Sequence, residues 1–190
     1  GKDLLNGKRF DKGGYILTYD YDKWSFIDPK EAQKKLNLPR NPRDYTSIAV
    51  TTDDSNDEIV YASSMGDGVI QYKNGTPVQS YNEKNAFKET AGGYGSGYCY
   101  ILITSTNDKW IYVPRNTPKL VMIPNSESLD EVSSYEFTTL IDTDGKELTP
   151  SNYTCVAEDK DGYIWVGTNR GAVYFTKPRI SSAEDKAATR

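Results

Sequence analysis

Asp159-Lys160-Asp161-Gly162-Tyr163-Ile164-Trp165-Val166 decides the fold, because the chain repeats it. Asp11-Lys12-Gly13-Gly14-Tyr15-Ile16-Leu17-Thr18 is a near-duplicate. Glu58-Ile59-Val60-Tyr61-Ala62-Ser63 and Asp108-Lys109-Trp110-Ile111-Tyr112-Val113 are weaker echoes. With Leu17, Tyr61, Trp110 and Trp165 taken as equivalent, the spacings are 44 (61 − 17), 49 (110 − 61) and 55 (165 − 110). A turn followed by a β-rich run, recurring at about 40–50 residues, is the signature of propeller blades. Such blades host many unrelated functions, so the repeat speaks to architecture before chemistry.

The sequence around each copy supplies the rest of a blade. After Trp165 comes Val166-Gly167-Thr168-Asn169-Arg170-Gly171-Ala172-Val173-Tyr174-Phe175, a strand, a glycine-bounded turn and another strand. Residues 61–72 match it, and Lys73-Asn74-Gly75 then adds an Asn-Gly hairpin signal before a fourth strand at 76–81. Candidate first strands precede the phrases at Ser47-Ile48-Ala49-Val50-Thr51, at residues 98–104 and at Tyr153-Thr154-Cys155-Val156-Ala157. The expectation is an all-β chain, a β-propeller segment of about four four-stranded antiparallel blades. Trp110 and Trp165 should be buried between neighbouring blades, with Gly162, Gly167 and Gly171 shaping the turns.

Composition agrees, with 15 Tyr, 15 Gly and 9 Pro suiting short strands broken by turns. The one helical stretch is Asp28-Pro29-Lys30-Glu31-Ala32-Gln33-Lys34-Lys35-Leu36, with an Asp cap and Pro at the first helical position. The expected blades cover about 1–45, 46–97, 98–152 and 153–175, followed by a connector tail over 176–190. Gly1 has no Met before it, and the first and last blades read as incomplete. The expectation is therefore a piece of a longer multi-domain chain, whose open blade edges favour self-association.

The charge balance is 23 basic against 27 acidic residues, a net −4, with no basic stripe to hold phosphates, so nucleic acid is not an expected partner. Cys99 and Cys155 fall at similar points in successive first strands, too far apart for a disulfide, and are expected to be buried free thiols. The chain has no His, which removes His-based acid–base catalysis, Ser-His-Asp and Cys-His triads, and nearly all zinc and iron sites. Two carboxylates would suffice for glycoside hydrolysis. Asp159-x-x-Gly162-x-x-Trp165 faintly resembles the Asp-box of sialidases, but its spacing is off by one and no Arg cluster accompanies it. No catalytic residue, metal or cofactor is expected. Asp142-Thr143-Asp144-Gly145 and Asp159-Lys160-Asp161-Gly162 superficially resemble calcium loops. An EF-hand frame on the first would put Leu140 and Ser151 at its ends, so ordinary hairpin turns are the better reading.

The loops joining second to third strands, and those joining consecutive blades, open on one face of a propeller. Here they hold Met65, Asp67, Asn169, Arg170 and the glycine-rich segment from Tyr94 to Tyr98. Carboxylate, guanidinium, amide and tyrosine together suit sugar hydroxyls. Turn geometry alone also accounts for the same residues.

Glu158-Asp159-x-x-Gly162-x-Ile164-Trp165-Val166-Gly167-Thr168-x-x-Gly171 resembles the repeat of two-component regulator propellers, the periplasmic sensory portions of hybrid two-component systems. Residues 62–72, with Tyr81-Asn82-x-x-Asn85 after them, resemble the PorZ-like proteins of the type IX secretion system. So does the terminal Ala187-Ala188-Thr189-Arg190. Met65 departs from that family's usual aromatic, and residues 99–123 are divergent. The PorZ-like resemblance implies a non-catalytic protein of a Gram-negative cell surface or periplasm, delivering secreted cargo and attaching it to anionic lipopolysaccharide alongside a separate sortase. The sensor resemblance implies recognition of glycans or relay of ligand binding to a kinase. Either implies a glycan or lipopolysaccharide ligand and further secretion or sensor domains in the parent chain.

Overall fold

The computed structural model describes residues 15–65, 67–82, 85–86, 99–113, 119–125, 134–137, 140–141, 146–175 and 188–189. A hairpin of β1 (Ile16–Asp20) and β2 (Lys23–Ile27) leads into helix α1 (Pro29–Lys35). Asp28 caps that helix, its side chain accepting from the Lys30 amide at 2.9 Å, with Pro29 at the first position as the sequence predicts. Three four-stranded antiparallel sheets follow among the described residues. The first holds β3 (Tyr45–Thr52), β4 (Glu58–Ser64), β5 (Gly68–Lys73) and β6 (Thr76–Tyr81). The second holds β7 (Tyr100–Ile103), β8 (Lys109–Val113), β9 (Lys119–Ile123) and β10 (Tyr135–Phe137). A short pair, β11 (Leu140–Ile141) and β12 (Glu147–Leu148), precedes the third, made of β13 (Tyr153–Glu158), β14 (Ile164–Thr168), β15 (Gly171–Phe175) and β16 (Ala188–Thr189). Spatial order follows chain order in each, as in a propeller blade.

One turn, used three times, joins first to second strands. In the first sheet, Asp53 Oδ1 accepts from the amides of Ser55 (3.0 Å) and Asp57 (2.9 Å). In the third, Asp159 Oδ1 accepts from Asp161 (2.9 Å) and Tyr163 (3.0 Å). Thr104 replaces the aspartate in the second sheet, its hydroxyl accepting from the Asp108 amide at 3.0 Å. The fourth residue of each turn is left-handed: Asn56 (φ 63°), Asn107 (φ 62°) and Gly162 (φ 83°). Only Gly, Asn and Asp adopt that conformation at little cost.

Aligning the three turns corrects the repeat register. Thr51 pairs with Ile59, Leu102 with Trp110 and Ala157 with Trp165, so Ile59, not Tyr61, is the counterpart of the two tryptophans. Tyr61 lies two residues on, on the same face of its strand. Leu17 is not a counterpart either. Two strands separate β4 from the next sheet, whereas β2 alone separates β1 from β3, so the hairpin occupies the place of third and fourth strands.

The sheets stack face to face. Ile59, Tyr61 and Val69 of the first pack on Ile101, Ile111 and Val121 of the second. Trp110, Leu120, Met122 and Phe137 of the second pack on Tyr153, Ile164 and Val166 of the third. The other face of the first sheet, with Val60, Ala62, Ile70 and Tyr72, meets Ile16, Ala32 and Leu38. Hydrogen bonds cross both junctions: Thr46 Oγ1–H donates to the Cys99 carbonyl, and Tyr153 O–H to the Phe137 carbonyl at 3.1 Å. The Lys109 ammonium sits 5.7 Å and 5.9 Å from the ring centres of Tyr61 and Tyr81 on the facing sheet, and burial lowers its pKa.

Two expectations are corrected here. Trp110 is buried as predicted, but Trp165 is exposed, because the outer face of the third sheet has no sheet against it among the described residues. Cys99 is buried and its thiol pushed up to about 12 by burial, but Cys155 is exposed on that same outer face; both thiols are free. Within 176–190, expected as a connector, the described pair Ala188–Thr189 forms β16, which pairs Tyr174 with Thr189 and Phe175 with Ala188 on the outer edge of β15.

Candidate functional site

The strand-entry segments clasp the turns between second and third strands. In the first sheet the Met65 amide lies 3.2 Å from the Arg43 carbonyl and 3.3 Å from that of Asp44. In the third, the Asn169 amide donates to the Asn152 carbonyl at 3.2 Å. The same Pro-x-Asx-Tyr pattern enters both sheets: Pro42-Arg43-Asp44-Tyr45 and Pro150-Ser151-Asn152-Tyr153. Both clasps sit at one end of their sheets, where the sequence places the binding loops. Asn41 Oδ1 and Asn152 Oδ1 are buried at this end with no hydrogen-bond partner among the described residues.

Each predicted site residue has a place, except Tyr94 and Tyr98, which lie outside the described residues. The Asp67 carboxylate is buried, and Arg40 Nε–H donates to its Oδ1 at 3.0 Å. The Ser64 hydroxyl stands 2.8 Å from the Arg43 carbonyl and 3.3 Å from Asp67 Oδ2, and accepts from the Arg43 amide at 3.0 Å. Burial raises the Asp67 pKa, with Arg40 and Ser64 opposing it. Asp67 thus locks the entry segment to the turn, and a ligand cannot reach it without displacing Arg40. Met65 is half-buried beside it.

Asn169 is committed in the same way. Its Oδ1 accepts from the amides of Ser151 (3.0 Å) and Asn152 (3.1 Å), and its Nδ2 donates to Ser151 Oγ at 2.9 Å. Arg170 differs. It is exposed, its amide donates to Thr168 Oγ1 at 3.0 Å, and its guanidinium makes no hydrogen bond or ion pair among the described residues. The guanidinium of Arg43 is exposed and makes no hydrogen bond or ion pair among the described residues, although its charge helps hold down the Asp67 pKa. Arg43 is the residue that sequence reasoning missed, although the repeated Pro-x-Asx-Tyr entry marks its position.

The glycines named from the repeat act structurally. A Cβ on Gly167 would lie 2.5 Å from Cys155 Sγ and 2.7 Å from Thr154 Oγ1, where β13 bulges against β14. Gly171 has φ 117° at the start of β15. Asp159 holds the Trp165 indole N–H at 2.8 Å through Oδ2, and that bond leads the effects that lower its pKa. The loop at 159–162 is a hairpin turn, and residues 142–145 lie outside the described residues.

Comparison with known proteins places this geometry. The model of the two component regulator propeller family matches residues 147–170, which span the entry segment, β13, β14 and the clasped turn. No curated protein matches the chain. The crystal structure of the extracellular domain of a putative hybrid two component system from B. thetaiotaomicron is similar over 92% of the chain, with 19% identity and a TM-score of 0.52. PorZ, a surface component of the type-IX secretion system of Porphyromonas gingivalis, is similar over 86%, with 15% identity and a TM-score of 0.43. The chain spans 23% and 29% of those two solved chains. The chain is an all-β, β-propeller segment whose residues 147–170 are similar to the two component regulator propeller.

Proposed function

We propose that this chain is a non-catalytic binding segment of a surface or periplasmic protein, taking an acidic glycan at the clasped end of its sheets. The observation that carries the reading is the pair of exposed guanidinium groups at that end, Arg43 and Arg170, which make no hydrogen bond or ion pair among the described residues. Guanidinium groups pair with carboxylate or phosphate in a fork that lysine cannot reproduce. The PorZ-like phrases at 62–72 and 187–190 favour a role in type IX secretion and in holding cargo on anionic lipopolysaccharide.

A second reading is a glycan-sensing propeller of a hybrid two-component regulator. The family match over residues 147–170 favours it. A glycan array carrying purified anionic lipopolysaccharide and soluble oligosaccharides separates the two. Retention on lipopolysaccharide that fails in an Arg43→Ala/Arg170→Ala variant supports the first. Retention on a neutral soluble oligosaccharide supports the second. Turnover of a glycoside that disappears with one carboxylate substitution would overturn both in favour of a propeller glycosidase.

A further inference from the structure

Arg40 is held at one nitrogen only. Its Nε–H donates to Asp67 Oδ1 at 3.0 Å, and its two terminal nitrogens make no hydrogen bond or ion pair among the described residues. The Asp67 side chain is 1% exposed, whereas that of Arg40 is 42% exposed. The carboxylate is itself fixed, with the Ser64 hydroxyl 3.3 Å from Oδ2 and 2.8 Å from the Arg43 carbonyl. The backbone under Arg40 is equally restrained: Leu38 and Pro42 are buried, and Pro39 and Pro42 each fix φ on one side of it. A guanidinium gripped in this way loses little side-chain freedom on meeting a ligand. Its terminal nitrogens form a planar fork matched to a pair of oxygens. Arg43, three residues on, stands near enough for its charge to act on the same Asp67 carboxylate.

We infer that Arg40 is a further ligand-contacting residue, that Asp67 is its positioning residue, and that the group they take is the carboxylate of an acidic sugar such as a uronic acid. The inference rests on the reading of the clasped end as an acidic-glycan site. Nη1 and Nη2 pair end-on with both carboxylate oxygens while Nε keeps its bond to Asp67, so the ligand docks without displacing the buried acid. Charge decides against a phosphate monoester. Arg40 and Arg43 are offset by Asp67 and the exposed Asp44, which leaves no surplus for a group carrying about two negative charges. A carboxylate brings a single charge and the planar shape that the fork matches.

The test titrates the whole chain with digalacturonate and with glucose 6-phosphate, read by calorimetry and by nitrogen–proton spectra of the arginine side chains. Digalacturonate should shift the Arg40 Nη signals and leave its Nε–H bonded, and it should bind more tightly than glucose 6-phosphate. Arg40→Lys keeps the charge but not the fork and should weaken digalacturonate binding about tenfold. Asp67→Ala and Asp67→Asn remove the same charge, but only Asn keeps an acceptor for Nε–H. Asp67→Ala should therefore weaken binding about threefold, and Asp67→Asn should restore it. Arg40 Nη signals unmoved by digalacturonate, full affinity in Arg40→Lys, equal affinity in the two Asp67 variants, or tighter binding of glucose 6-phosphate would each overturn the inference. Array retention lost in Arg43→Ala/Arg170→Ala but kept in Arg40→Lys overturns it too, and leaves the site reading intact. Digalacturonate binding that needs Arg40 and the Asp67 acceptor but neither Arg43 nor Arg170 supports it, and removes the arginine pair from the site reading.

Discussion

Trp110 and Trp165 stand at the same position of successive sheets, each following its turn residue by the same interval, yet Trp110 is 2% exposed and Trp165 is 41% exposed. The difference lies in what faces them. Trp110 stacks on Phe137 with ring centres 5.7 Å apart and lies against the third sheet, whereas Trp165 is on that sheet's outer face and donates its indole N–H to Asp159. A repeat position carries the same side chain in both sheets, but its energy depends on the neighbouring sheet.

Truncation should separate the two. Trp110→Ala empties a buried cluster and should cost about 3–5 kcal/mol. Trp165→Ala removes a half-exposed ring and one hydrogen bond and should cost about 1 kcal/mol. Urea unfolding followed by far-ultraviolet circular dichroism measures both. Equal costs would mean that the outer face of the third sheet is covered after all.

Glycine substitutions should rank by what a Cβ would strike. At Gly68, which has φ 78°, a Cβ would sit 2.1 Å from the backbone oxygen of Tyr81, and neither the turn nor β6 can move aside cheaply. Gly68→Ala should cost about 2–4 kcal/mol, from the strain of a left-handed residue plus overpacking. At Gly167 the obstacles are the Cys155 and Thr154 side chains. Gly167→Ala should cost less, about 1–2 kcal/mol, and Cys155→Ala should recover part of it.

Asp67 should behave as a buried structural acid. Asp67→Ala leaves Arg40 and Ser64 without their acceptor and should cost about 1–3 kcal/mol. Asp67→Asn keeps an acceptor toward Arg40 and should cost less. Burial raises the folded-state pKa of Asp67 above its ordinary 3.8. Its favourable contribution is therefore complete below 3.8 and declines as pH rises through the folded value. Stability of the natural chain relative to Asp67→Asn should fall as pH rises from 3.8 through the raised folded value in denaturant titrations. A relative gain over that window would mean that the Arg40 pairing outweighs burial.

The two thiols should react apart. Cys155 is exposed, while Cys99 is buried with its thiol pushed up to about 12. A disulfide reagent at neutral pH should modify one thiol per chain rapidly and the second only on unfolding. Peptide mapping should place the fast modification at Cys155.

How much of the fold was legible in the sequence varied with the range of the contact. The Asp28-Pro29 helix start and the Asn74-Gly75 turn, with φ of 47° and 76°, were legible because local chemistry dictates both. The shared turn was only partly legible, since Thr104 performs with a hydroxyl what Asp53 and Asp159 perform with carboxylates. That disguise also hid the match of Ile59 to the tryptophans. Asp67 was legible as a turn residue but not as the partner of Arg40, which lies 27 residues earlier with β3 and β4 between them. The exposure of Trp165 and Cys155 depends on which sheet faces them, and no local pattern encodes that.

The stacking of successive sheets through repeated faces is the central claim, and proton distances around one side chain test it most directly. In a methyl-labelled sample, the Trp110 indole protons should show nuclear Overhauser contacts to the methyl groups of Ile164 or Val166, more than 50 residues away in the chain. Indole contacts confined to its own sheet, such as those to Met122 and Phe137, with none to β14, would contradict the account.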